Sequence, residues 1–173
     1  MSKSSSPYDF IILPDKVSFL TKRGIDYACV FILDEETKHL GLNVKAPVYQ
    51  FVFFPEKPQS ESSYKNDARI HLTVVRILQD FFAKNPKGII MYFCDDSDSK
   101  GKARHNLFEK WVHKFNGTVP KKIMLNLSVE LSSIHISLLI NENHPEIGAL
   151  HKAMKTQAEE LKTAGKPFTS NIQ

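Results

Sequence analysis

At 173 residues the chain is long enough for one domain with a substantial core, and its 42% hydrophobic and 24% charged residues fit a soluble globular protein. No apolar run reaches the ~18 residues that a membrane span needs. The net charge of +4 is mildly basic, and the only two cysteines, Cys29 and Cys94, sit in apolar runs as buried thiols, which fits a reducing cytosol and excludes a disulfide framework or metal spacing.

Residues 1–7, MSKSSSP, lead into no apolar signal core and read as a disordered start to a single domain over 8–165. Tyr8–Leu13, Val17–Lys22 and Ile25–Leu33 alternate as strands, and the short breaks Pro14-Asp15 and Arg23-Gly24 suit hairpins. Asp34–Pro47 is polar and reads as a loop, and Val48–Phe54 is a fourth strand stopped by Pro55 and Pro58. Asn66 or Asp67 opens a helix in which Ile70, Val74, Ile77, Leu78 and Phe81 recur at three and four; Asn85-Pro86 ends it. His71, beside that stripe, reads as a core-edge histidine.

Gly88–Phe115 holds the most unusual chemistry. Ile89–Cys94 is apolar on both alternating faces, as in a strand covered on two sides. Asp95, Asp96, Ser97 and Asp98 follow at its carboxyl end, where Ser97 or Asp98 is suited to cap the next helix. At 100° per residue, Ala103, Leu107, Phe108, Trp111, Val112 and Phe115 turn inward, while Lys102, His105, Asn106, Glu109 and His113 turn outward. Arg104, with Lys100 one turn earlier, falls on the inward line. A guanidinium there requires an anion, because an unpaired buried charge is costly. Two readings stay open: a tie from Arg104 to Asp95, Asp96 or Asp98, or an anion site at the helix start.

Beyond Asn116-Gly117 and Pro120, the runs Ile123–Leu131 and Ile134–Ile140 alternate and join at Ser132-Ser133. They predict a hairpin with one buried and one mostly wet face, the wet face being a candidate partner surface. Pro145 opens a last helix with a thin stripe of Ile147, Leu150, Met154, Ala158 and Leu161; Gly165 and Pro167 end it, and 166–173 reads as a loose tail. The order ββββ-α-β-α-ββ-α predicts an α+β fold, a mixed and largely antiparallel sheet with helices mainly on one face.

No catalytic residue is assigned. The seven histidines show no His-x-x-x-His pair, there is no Gly-x-Ser-x-Gly elbow, and Gly101 stands alone between lysines. Asp96, Asp98 and Ser99 match part of the D-x-D-x-[ST] pattern of aspartyl-phosphate phosphatases, but the lysine segment and second acidic site it needs have no counterpart. From Lys100 to Lys122, seven Lys or Arg stand against Glu109 alone, a local charge of +6. The candidate anion- or partner-binding set is Asp95, Asp96, Asp98, Lys100, Lys102, Arg104, His105, Lys110 and Lys114; no metal or cofactor is expected.

Tyr8, Phe10, Phe19, Thr21, Gly24 and Tyr27 in the opening strands, the helix DARIHLTVVRILQDFFAKNP and the segment YFCDDSDSKGKARHNLFEKW resemble a family of small bacterial proteins of the Bacteroides type, a domain of unknown function. The likeness runs from about Tyr8 to Pro145 and is most specific from Cys94 to Trp111. It implies a shared fold, a bacterial cytosolic origin, and that the acidic turn, Arg104 and Trp111 form one unit. No substrate or catalytic residue follows from it. The expectation is a non-catalytic binding or adaptor module of a bacterial assembly, of the kind that serves defence or mobile-element systems. It would act in the cytoplasm, away from membranes, and meet a protein partner on helix 99–116 or on the 122–141 hairpin. One alternative is a Mg²⁺-dependent nuclease or phosphoryl-transfer enzyme using Asp95, Asp96 and Asp98 with Lys100 and Arg104. The other is a nucleic-acid-binding protein using Lys102, Lys110, Lys114, Lys121 and Lys122.

Overall fold

The computed structural model describes residues 6–34, 44–57, 67–95, 99–116, 125–131, 134–163 and 170–171. For 95, 114–116, 125–131, 134, 157, 158, 160–163, 170 and 171 it describes the backbone alone. The elements are β1 (Ile11–Ile12), β2 (Val17–Leu20), β3 (Asp26–Asp34), β4 (Val48–Pro55), α1 (Ala68–Lys84), β5 (Ile89–Asp95), α2 (Gly101–Asn116), β6 (Leu125–Leu131), β7 (Ile134–Ile140), α3 (Ile147–Thr163) and β8 (Ser170–Asn171). Together the strands form one sheet in the order β1-β2-β3-β4-β5-β7-β6-β8. Every described pairing is antiparallel except β4 with β5, which run parallel across the α1 crossover. The fold is therefore the mixed, largely antiparallel α+β sheet that the element order predicts.

Local chemistry sets the boundaries. The β2–β3 turn needs Gly24, whose φ of 75° is a region that side chains rarely adopt. Asp67 caps α1 by accepting the Arg69 N–H at 2.9 Å. Asn85 ends that helix by donating its N–H to Phe81 O at 2.8 Å. The first strand is shorter than its alternation suggests because α1 captures Tyr8. The Tyr8 N–H donates to Thr73 Oγ1 (2.8 Å), its hydroxyl donates to Asp67 Oδ2 (2.7 Å), and the Arg69 guanidinium lies 3.9 Å from its ring centroid. Ser170–Asn171, in the stretch read as tail, pairs with Val129 and Ser128 as the short strand β8.

Two cores lie on opposite sides of the sheet. One joins α1 (Val74, Ile77, Leu78, Phe81) and α2 (Phe108, Val112) to Tyr27, Cys29, Phe51, Ile90, Tyr92, Cys94 and Leu139. The other joins Leu150 and Met154 of α3 to Val48, Ile89, Met91, Ile136, Leu138 and Ile140. Alternate residues of β5 and β7 thus feed different cores, so both strands are covered on two faces. Two of the three helices share one face and α3 takes the other.

Candidate functional site

β7 does not have the wet face that its alternation predicts. All six residues from His135 to Ile140 are buried. Ile136, Leu138 and Ile140 face α3, so period two turns His135, Ser137 and Leu139 toward α2. The polar alternates are interior because α2 lies over them and supplies polar groups of its own. This removes β7 from the proposed 122–141 partner surface; the β6 side chains lie outside the described residues.

The contact line of α2 is correspondingly rotated. Gly101, His105, Phe108 and Val112 are buried, whereas Ala103, Arg104 and Leu107, expected inside, are exposed. His105, expected outside, is 5% exposed. The correction has a physical cause. An imidazole meets the hydroxyl and the second imidazole that β7 presents with its ring nitrogens and flat face, whereas an isobutyl group offers no polar atom and a buried guanidinium would need an anion.

His105 is the centre of this cluster. Its Nδ1 lies 3.3 Å from Ser137 Oγ and its Nε2 lies 3.3 Å from Glu109 Oε1, one helical turn on. The His105 and His135 rings stack with centroids 4.9 Å apart and planes 12° apart. Tyr92 lies 6.4 Å from His105 and 4.4 Å from Phe108. In the sheet Tyr92 is the Cα partner of Ser137, and Cys94 that of His135. Serine, histidine and carboxylate in contact form the set used for acyl transfer. Ser137, however, sits mid-strand with 0% exposure, so no substrate carbonyl can reach its hydroxyl. Burial pushes the Cys94 thiol up to about 11, although the nearby Arg104 charge pulls the other way, and burial pushes Cys29 up to about 12. Neither sulfur is a thiolate near neutral pH, the form that attacks or binds metals.

The remaining predicted residues separate into two groups. Lys102, Arg104 and Lys110 are exposed along α2, as is Lys100 just before it, whose carbonyl accepts the Arg104 N–H at 2.9 Å as the helix starts. Asp95 ends β5 with its Cα paired to Ile134, and Lys114 lies in the last turn of α2; neither side chain is described. Asp96, Asp98, Lys121 and Lys122 lie outside the described residues, so the tie between Arg104 and the acidic turn does too. Sequence reasoning missed His135 and Ser137. The available signal was two polar alternates in a strand beside a helix that carries a histidine with a glutamate four residues on.

Fold and site define a small α+β domain in which, among the described residues, a polar cluster is internal and α2 turns a cationic face to water. A family model described as a family of unknown function, DUF6169, matches residues 66–156, from the start of α1 into α3. The chain belongs to that family. It matches no curated protein and no solved structure.

Proposed function

We propose that the chain is a non-catalytic protein-binding module that receives an acidic partner on the outer face of α2. The observation that carries this reading is a cationic ridge with an apolar centre. Arg104, Leu107 and Lys110 follow one another at steps of three, so they share one helix face, and Lys100 stands just before the helix, four residues ahead of Arg104. All four are exposed, and Leu107 keeps 48% of its surface in water. An exposed apolar residue with a cation one turn to either side, Arg104 and Lys110, suits a protein interface, where a desolvated centre supplies affinity and charges supply selectivity and encounter rate. Phosphate contacts alone would leave Leu107 without a role.

The same reading keeps the bacterial, cytoplasmic setting and a place in a larger assembly such as a defence or mobile-element system. The buried free thiols Cys29 and Cys94 suit a reducing compartment. Among the described residues, no helix is long and apolar enough to cross a membrane.

Affinity capture from the native host tests the proposal, run with wild type, Leu107→Ser and the Arg104→Glu/Lys110→Glu pair, with and without nuclease. The expected result is a captured protein that survives nuclease and is lost with both variants, while their urea stabilities stay within about 0.5 kcal/mol of wild type. Capture unchanged in both variants would remove α2 as the interface. Material lost on nuclease treatment would move the ridge to nucleic acid. A labelled oligonucleotide should then weaken with salt, the slope falling by about one for each phosphate contact removed.

A further inference from the structure

We propose that the half of the sheet that α3 leaves open is the contact face of a weak two-fold dimer, its occupant a second copy of this chain. Strand side chains alternate, so Leu20, Ile32 and Phe54 turn to the side opposite Phe19, Phe31 and Phe53, which pack into the α1–α2 core. Ile11 joins them, because Ile11, Ser18, Ala28 and Phe54 are successive Cα partners across β1 to β4. Phe93 of β5 shares its side with Met91, a member of the α3 core. These five side chains belong to residues that keep between 37% and 67% of their surface in water, with the Cα partners Val30 and Val52 half-buried on the same face.

Charge, area and geometry select a second copy. Lys16, just before β2, pairs with Glu56, just after β4, and the Ser18 hydroxyl donates to Asp26 Oδ1 at 2.7 Å. Asp26 is exposed at the turn end of β3, where it stays in water. Such a face asks its partner for apolar contact rather than for charge, unlike the α2 ridge on the other side of the sheet. A copy of the same face offers that contact residue for residue. Five large apolar side chains about half in water leave on the order of 500 Å², near the top of what a monomer keeps open. Specific interfaces at the low end take about 600 Å² from each partner. The face and its rim reach that size and little more, so the dimer is weak.

Sheets stack face to face about 10 Å apart with their strands nearly aligned. A half-turn about an axis along the strands lays one open half on the other. It carries each α3, which covers the β5–β7 half, beyond the other copy's β1 and clear of its sheet. The contact is isologous and closes at two chains. Both α2 helices lie on the outer surfaces of the pair, so the dimer offers two cationic ridges and gains avidity for a partner that meets both. In dilute solution mass action holds the chains apart, and the open face then adds little to the stability of one chain.

Light scattering and sedimentation from about 10 μM to about 1 mM read the association. The average mass should rise from one chain, 19.7 kDa, toward two. Ile32→Glu places a charge on the face and should weaken the dimer at least about tenfold. His113→Glu, which places the same charge on exposed α2 across the sheet, should leave it unchanged. Wild-type methyl NMR signals decide the matter even if Ile32→Glu does not fold. Those of Ile11, Leu20 and Ile32 should move with concentration while those of buried Leu139 stay. A mass of one chain throughout, growth beyond two chains, static methyl signals, or equal association of wild type and Ile32→Glu would each overturn the proposal. So would a one-chain mass together with a captured protein that Ile32→Glu loses, since the face would then belong to that partner.

Discussion

β7 carries a histidine and a serine in the interior, whereas β2 and β3 carry a leucine and an isoleucine at the surface. Leu20 is 60% exposed and Ile32 49%, and the same face continues to Phe54 at 39% and Ile11 at 67%. The sheet is one, but its halves are stabilised differently. β5 and β7 lie between α2 and α3 and draw on burial from both sides. β2 and β3 draw mainly on one face, where Tyr8, Phe19, Tyr27 and Phe53 stack at centroid distances of 5.0 to 6.1 Å between neighbours. Alternation reports that a strand has two faces. What lies on each is decided by the tertiary partner, and polarity is a poor guide when that partner is itself polar.

The largest expected effect follows from this contrast. Leu139, with 0% exposure between β5 and β6, should cost about 3 kcal/mol as Leu139→Ala, since the removed methyls leave a cavity that a two-sided core cannot close. Ile32→Thr and Leu20→Thr should change stability by no more than about 0.5 kcal/mol. Urea midpoints of the three variants measure the difference directly. An Ile32→Thr loss comparable to that of Leu139→Ala would mean that the outer face of β3 is covered after all.

Much of the fold is legible because its boundaries are local. Asp67 caps α1, Asn85-Pro86 ends it, and Gly24 permits the β2–β3 turn, all within a few residues of chain. The apolar run of β5 correctly implies cover on both faces. The insertion of β7 between β5 and β6 is not legible, since pairing of Cys94 with His135 joins residues far apart in sequence. The rotation of α2 fails for the same reason. Its wheel has two near-equal orientations, one led by Leu107 and one by His105. The hydroxyl and imidazole presented by β7 meet His105 in the second, and Arg104 is then at the surface.

A smaller effect tests whether β7's buried polarity is matched or merely tolerated. Ser137→Ala removes the hydroxyl 3.3 Å from His105 Nδ1 with little change of volume. It should cost about 1 kcal/mol, the usual net value of one hydrogen bond, and somewhat more if Nδ1 is left without a partner. The loss should vanish in a His105→Phe background, because the two residues act through one contact. A Ser137→Ala loss that persists undiminished there would show that the hydroxyl serves a group other than His105.

The smallest effect belongs to the outer half, whose end is fastened by polar groups rather than by a second layer. The Asp67 carboxylate caps α1 and accepts the Tyr8 hydroxyl, which in turn receives the Lys22 N–H at 3.2 Å. Burial opposes the charge on Asp67, but the Tyr8 and Arg69 hydrogen bonds, with the Arg69 and Arg23 charges, outweigh it and hold the carboxyl below its ordinary range. A carboxyl whose folded value is depressed contributes stability that is present above its unfolded value, about 3.9, and is lost as pH falls through the folded one. The window is thus below about pH 4. Asp67→Asn keeps a competent cap and an acceptor for Tyr8 but carries no charge, so at pH 7 it should cost no more than about 1 kcal/mol. Between pH 5 and pH 2 it should lose less stability than wild type, while Glu146, whose carboxylate is lowered first by the Lys45 N–H, acts equally in both. Urea midpoints at the two pH values give the comparison. Parallel acid losses in wild type and Asp67→Asn would show that the Tyr8–Asp67 contact fastens the strand by shape, with its charge making no difference to the fold.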